Sequence, residues 1–251
     1  MPYRRGRPLA DISLPFRAAA MMTFYFVWPF AQLVNLVMFS TSYENRRKLR
    51  GIRRAILVSN HTTFLDPVKI SGVVLPRRTW QTLMEKTVEA PIVGTLTRLL
   101  GGIPLPPGRS GLLRVLEASE TLFRFRHFLH FYPEGECYLY NQEVRELKPG
   151  AFLVAAELNI PVIPMVTVFS EGRFGCIPVL GRILPRERLV VLDPIYPSGY
   201  VRRNDKGELD INSVREFAEV VRKIMQNGIN SRKGSQTFYR GRLERIKGIN
   251  S

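Results

Sequence analysis

The sequence predicts an α/β fold, a mixed and largely parallel sheet covered by helices, with an apolar helical segment ahead of it. Three observations carry this reading. Short runs rich in Val, Ile and Leu alternate with stretches of helical spacing through the body of the chain, the pattern of strands joined by crossover helices. An uncharged stretch of 22 residues, Ala18 to Phe39, precedes them. A chain of 251 residues with 45% apolar residues can bury one sizeable core, and its composition is not that of a disordered protein.

Taken in order, the N-terminus is basic. The run AAAMMTFYFVWPFAQLVNLVMF follows; as one helix it would be about 33 Å long, enough to cross a bilayer core of about 30 Å. Pro29 sits inside it and removes a backbone bond, so a kinked span and two short interfacial helices both fit. Trp28, Tyr25 and the flanking arginines favour the interface. The Lys- and Arg-rich segment from Glu44 to Arg54 then reads as a contact with anionic head groups, worth about 1 kcal/mol per charge near the surface.

AILVSN (55–60) reads as a strand ending in polar residues, and 112–125 as a helix. HFLHFYPEG (127–135) reads as a strand running into a loop, 150–159 as a helix, and 160–169 and 188–197 as strands. Residues 212–228 form an amphipathic helix whose stop signal is Gly228. The expected organisation is an N-terminal anchoring segment (1–50), a central domain (51–228) and a basic tail (229–251).

The net charge of +16 attracts phosphate-rich partners: an anionic membrane face, nucleic acid, or phosphorylated substrates. Cys137 and Cys176 form no CxxC pair, and reduced thiols in a cytoplasmic setting are the default. Three histidines in all argue against a His-rich metal site, and no metal is expected. His127 and His130, on an apolar segment, read as packing residues.

The stretch SNHTTFLDP (59–67) sets His61 and Asp66 five residues apart, just after a strand. An imidazole can take a proton from an attacking hydroxyl near neutral pH, and a carboxylate on its other nitrogen fixes the tautomer. Positions i and i+5 do not share a helix face, so the pair must meet through a turn. No GxSxG elbow is present to supply a serine nucleophile.

NHTTFLD (60–66), YPEG (132–135), KPGAF (148–152), IPVIPMV (160–166) and VLDPI (191–195) come in the order and spacing of the glycerolipid acyltransferase family. The sequence resembles that family over Ile52 to Tyr196. Its motifs are NHxxxxD, FPEGTRS, a KxGAF-type helix start, a VIPV-like strand and a GEPI-type segment, and members of the 1-acylglycerol-3-phosphate acyltransferase type esterify lysophosphatidic acid. The resemblance implies direct transfer from an acyl thioester to a lipid hydroxyl, with His61 as general base and Asp66 orienting it. No cofactor is implied; acyl-CoA or acyl-carrier protein is the donor substrate. Asn60, Glu134 and Gly135 fall at motif positions and are expected to contact substrate, Asn60 being equally suited to shape the loop at the strand end. Arg109, in a Gly- and Pro-rich loop ahead of the 112–125 helix, suits a phosphate cradle.

The chain departs from the family at Glu136 and Cys137, where Thr and Arg are usual. An added carboxylate repels a phosphate, so either Arg145 or Lys148 takes over that contact or the acceptor head group differs. The expected partners are an anionic membrane surface, a lysophospholipid acceptor and the acyl donor, with the enzyme on the cytoplasmic face of the membrane. Nucleic acid is not expected, because no recognisable nucleic-acid-binding module is present. The alternative reading is a non-catalytic basic protein that binds membranes or nucleic acid on the same fold.

Overall fold

The computed structural model describes residues 8–171 and 184–244; Cys176 lies outside them. Seven strands form one sheet in the order β1-β7-β6-β2-β5-β3-β4. They are β1 (Ser42–Glu44), β2 (Ala55–Ser59), β3 (Thr79–Met84), β4 (Gly102–Leu105), β5 (Phe128–Phe131), β6 (Val162–Ser170) and β7 (Arg186–Val191). From β6 to β4 the strands are parallel, while β7 runs antiparallel to β6 and β1 pairs parallel with β7. The mixed, largely parallel sheet is the expected one.

The helices are α1 (Leu14–Phe39), α2 (Asp66–Val74), α3 (Glu85–Glu89), α4 (Pro91–Leu100), α5 (Gly108–Phe125), α6 (Gly150–Glu157) and α7 (Ile211–Asn230). Alternation along the strands divides the core in two. Ile56 and Val58 of β2, with Leu129 and Phe131 of β5, face α5, α6 and α7 through Val115, Phe152 and Phe217. Ala55, Leu57 and Phe128 face the other way, onto Ile70, Val73 and Val74 of α2. A sheet buried on both faces explains why its strands read as unbroken apolar runs.

Several elements differ from expectation. The apolar run folds as one 26-residue helix, α1, with Pro29 inside it rather than as two short pieces. Pro29 and Tyr25, four residues before it, are both exposed, so the carbonyl freed by the missing N–H is not sealed in the domain. Although α1 is long and apolar enough to cross a membrane, it lies against α2 and α4. Its outer face carries Met22, Phe26 and Phe30, which are 75%, 85% and 70% exposed.

The basic segment after α1 is partly built into the domain. Arg46 donates to the carbonyls of Val73 and Leu75, satisfying the C-terminus of α2, and Lys48 pairs with Asp193 at 2.7 Å. Strand β1 therefore joins the sheet from within the stretch assigned to the anchor. The tail likewise returns to the domain, where Leu243 N donates to Cys137 O and Arg240 N to Leu139 O. Helix α7 starts from an Asp210 cap and passes through Gly228, which is buried in its last turns and does not stop it. His127 is exposed, since its segment becomes buried only from Phe128.

Candidate active site

The C-terminal ends of the parallel strands share one edge of the sheet, where loops can bring distant residues together. β2 ends at Ser59, and Asn60 then ties that end to β6. Its Oδ1 accepts from Thr167 N at 2.9 Å and its Nδ2 donates to Thr167 O at 3.3 Å. Asn60 is buried, with both ends of its amide engaged on main chain, so the expectation that it contacts substrate is corrected to a clamp that sets where the loop begins.

The next residues wrap a carboxylate. Asp66, buried in the first turn of α2, accepts from Thr62 N at 2.6 Å, Thr63 N at 3.0 Å and Thr63 Oγ1 at 2.8 Å. Its Oδ2 lies 2.9 Å from His61 Nδ1. The i, i+5 pair thus meets through a turn of main-chain amides. Burial alone would raise the carboxyl pKa; the charges and hydrogen bonds of Lys69 and His61 prevail and hold it well below the usual carboxylate range.

With Nδ1 held by Asp66, His61 Nε2 has no hydrogen-bond partner among the described residues. The ring stacks on Tyr132 at 4.0 Å between centroids, and the side chain keeps 22% of its surface exposed. The backbone around it is fixed as well: Tyr138 N donates to His61 O and Tyr140 N to Thr62 O, each at 2.9 Å. A general base needs this combination of one nitrogen oriented, the other open and the ring held flat.

Glu134 serves the same loop from below. Its Oε2 accepts from His61 N at 3.3 Å and its Oε1 from Arg145 N at 3.2 Å. It therefore joins the His61 loop to the Arg145 segment and makes its bonds within the protein. Burial pushes its pKa up to about 7, against the two main-chain bonds that favour the carboxylate. An acid raised in the fold stabilises it fully below the unfolded pKa and loses that contribution as pH rises through the folded value. Wild-type stability is therefore expected to fall relative to Glu134→Gln between pH 5 and 8, by up to about 3 kcal/mol. Melting temperatures of both proteins across that range check this; a gap independent of pH would refute it.

Gly135 has a positive φ of 74°, and a Cβ there would collide with the Lys148 amine. Lys148 thus lies across the loop at its most open point, its amide donating to Pro133 O at 2.9 Å. The Arg145 guanidinium stands 5.3 Å over the Tyr138 ring, and its buried Nε has no hydrogen-bond partner among the described residues. Arg109 is exposed in the first turn of α5 rather than in the preceding loop. It shares the catalytic edge, but β4 lies three strand spacings from β2, roughly 14 Å. The structure therefore brings His61, Asp66, Glu134, Gly135, Arg145 and Lys148 together and sets Arg109 at the margin.

Cys137 is buried and its thiol pKa is pushed up by burial, which leaves no thiolate to act as nucleophile. His130 is fully buried beside Ser59, with 2.9 Å between Nε2 and Oγ; burial lowers its pKa to about 3, so the ring packs as a neutral group.

Sequence reasoning missed the residues behind Asp66. Lys69 Nζ lies 2.6 Å from Asp66 Oδ1 and 2.8 Å from Glu187 Oε2, all three side chains being buried. Thr41 Oγ1 completes the chain, donating to Glu187 at 2.5 Å. Burial works against the Lys69 charge, yet the two carboxylates outweigh it and raise the pKa above that of an ordinary lysine. The available signal was a lysine inside the apolar stretch PVKISGVVL; nothing local marked Glu187.

The sequence profile of the acyltransferase family matches residues 40–168, just over half of the chain and all of the loops described above. The chain belongs to the acyltransferase family. Human 1-acyl-sn-glycerol-3-phosphate acyltransferase beta is 30% identical over 122 residues, which are 48% of this chain and 43% of that protein. The chain thus spans less than half the length of that relative. The fold is similar to the crystal structure of the 1-acyl-sn-glycerophosphate (LPA) acyltransferase PlsC from Thermotoga maritima, with a TM-score of 0.60 and 19% identity. That likeness covers 90% of this chain and 86% of the other. In this member of the family the NHTTFLD and YPEG stretches form one hydrogen-bonded site.

Proposed function

We propose that this protein is a membrane-associated O-acyltransferase that moves a fatty acyl chain from a thioester to the hydroxyl of a lysophospholipid, in phospholipid synthesis on the cytoplasmic face. The observation that carries the reading is the His61–Asp66 pair, with Nδ1 bonded at 2.9 Å and the ring open to solvent on its other side. His61 Nε2 takes the proton of the acceptor hydroxyl as its oxygen bonds to the thioester carbonyl carbon. The C–S bond then breaks and the departing thiolate collects the proton from the imidazolium. Asp66 keeps the imidazole in the tautomer with Nε2 free and stabilises the cation as it forms.

1-Acylglycerol-3-phosphate is the acceptor that the names of the human relative and the Thermotoga structure favour. With Glu136 and Cys137 where Thr and Arg are usual, the cations that stand at the loop are Arg145 and Lys148, and we assign them the acceptor phosphate, with Arg109 at the outer rim. The donor is acyl-CoA or acyl-carrier protein. Membrane association rests on the exposed apolar face of α1 and on Phe64, which is 72% exposed two residues before Asp66.

Incubating the purified protein with mixed lysolipids and each acyl donor, followed by mass spectrometry of the products, tests the whole reading. A diacyl phospholipid is expected, with lysophosphatidic acid preferred among the acceptors. Free fatty acid as the sole product would make the protein a hydrolase. No product with any donor would leave a binding protein.

A further inference from the structure

At the opposite end of the sheet from His61, an open cleft of about 180 Å³ lies between the first turns of α1 and the starts of β3 and β5. Three arginines, Arg17, Arg78 and Arg126, line it together with Asp11 and the apolar side chains of Phe16 and Met21. Arg126 is only 7% exposed, its guanidinium 4.0 Å over the Trp80 ring and its Nη1 donating to Thr79 O at 2.5 Å. Gly101 makes room for it, since a Cβ there would strike Nη1. Arg78 sits 4.7 Å over Phe24, with a weak 3.4 Å bond from Nη2 to Ala20 O and a buried Nε that has no partner among the described residues. Arg17 lies 4.5 Å over the Phe125 ring.

Among the described residues none of these three guanidiniums forms an ion pair. The carboxylate of Asp11 accepts instead from Ser13 N at 3.0 Å. The lining therefore holds three cations against one carboxylate, and burial together with repulsion from Arg78 depresses the Arg126 pKa. Burying like charges side by side destabilises a fold unless an anion joins them. One wall of the cleft also leads onto hydrocarbon: Met21 is 51% exposed and stands beside Leu14, Met22 and Tyr25 on the outer face of α1, at 75%, 75% and 57%.

We infer that this cleft binds an anionic amphiphile, its phosphate group held by Arg17, Arg78 and Arg126 and its hydrocarbon stem leaving along Met21 and Tyr25. The site is separate from the catalytic edge and needs no part of the transfer reaction. Its chemistry fits either a phospholipid head group drawn from a bilayer or a free alkyl phosphate.

Trp80 lines the cleft and Trp28 is the other tryptophan of the chain, so Trp28→Phe leaves one fluorophore at the site. The full-length Trp28→Phe protein is titrated with undecyl phosphate brominated at the chain end, with inorganic phosphate, and with vesicles of brominated phosphatidylglycerol or brominated phosphatidylcholine. Saturable quenching by the alkyl phosphate is expected, weakened at least ten-fold by Arg78→Gln and by the exposed-side change Arg17→Gln, and unchanged by His61→Ala. Quenching also by phosphatidylglycerol vesicles, and not by phosphatidylcholine, identifies the bilayer as the source; quenching by the soluble phosphate alone identifies the free form. Absence of quenching, quenching that ignores both arginine changes, or displacement by inorganic phosphate at equal concentration would overturn the assignment.

Discussion

His61→Ala is expected to lower the rate constant for acyl transfer by about 10²–10⁴-fold while leaving the fold intact, the range for loss of a positioned general base. The fold should survive because Asp66 does not depend on the imidazole. Without it, the carboxylate still holds Lys69 at 2.6 Å, two main-chain amides and the Thr63 hydroxyl. The stacking on Tyr132 is lost, a contact worth about 0.5–1.5 kcal/mol. Steady-state kinetics with a soluble acyl donor and lysolipid, beside a melting curve, make the check. Wild-type turnover in the alanine variant would remove His61 from the mechanism. Asp66→Asn should behave differently and lose stability as well, because it leaves Lys69 facing one carboxylate and turns an acceptor of amides into a partial donor.

The contrast between these two variants could not be read from the chain alone. The dyad was legible because both members lie in one short loop after an apolar strand, and a turn is the only way for positions five apart to meet. Strands β2, β5 and β6 were legible because burial on both faces leaves continuous runs such as AILVS and VIPMVTVF, and β7 through its apolar second half, LVV. Strand β3, TWQTLM, was not. Its polar residues are internal partners: Gln81 Nε2 donates to Pro67 O and Ser71 Oγ on α2, and Thr79 Oγ1 reaches Phe128 O. A strand that braces an active-site helix through side-chain hydrogen bonds looks like a loop in composition. The partner of Asn60 was hidden for a related reason, since Thr167 is 107 residues away and only the parallel pairing of β2 with β6 brings it near. Glu187 alternates with arginines in RERLVV and looks like a surface residue until β7 pairs with β6.

Lys69→Met is the second large effect, and it separates support from chemistry. Methionine fills the space but leaves Asp66 and Glu187 buried without their shared cation. Breaking a buried pair in this way costs about 3–5 kcal/mol, which for a chain of this size is a fall in Tm of roughly 10 °C. A structural lysine would do no more than that. The geometry gives Lys69 a further consequence, because the carboxylate it holds is the one that aims His61. The path runs on through Glu187 to the Thr41 hydroxyl, two residues past the last turn of α1. The double variant Lys69→Met/Glu187→Gln removes one of the two stranded charges and is expected to regain much of the lost stability. Its kcat should stay at least ten-fold below wild type with KM little changed, because Asp66 still lacks the ammonium that fixes its orientation. Recovery of kcat in parallel with Tm would show that Lys69 only neutralises buried charge, and the positioning role would be lost.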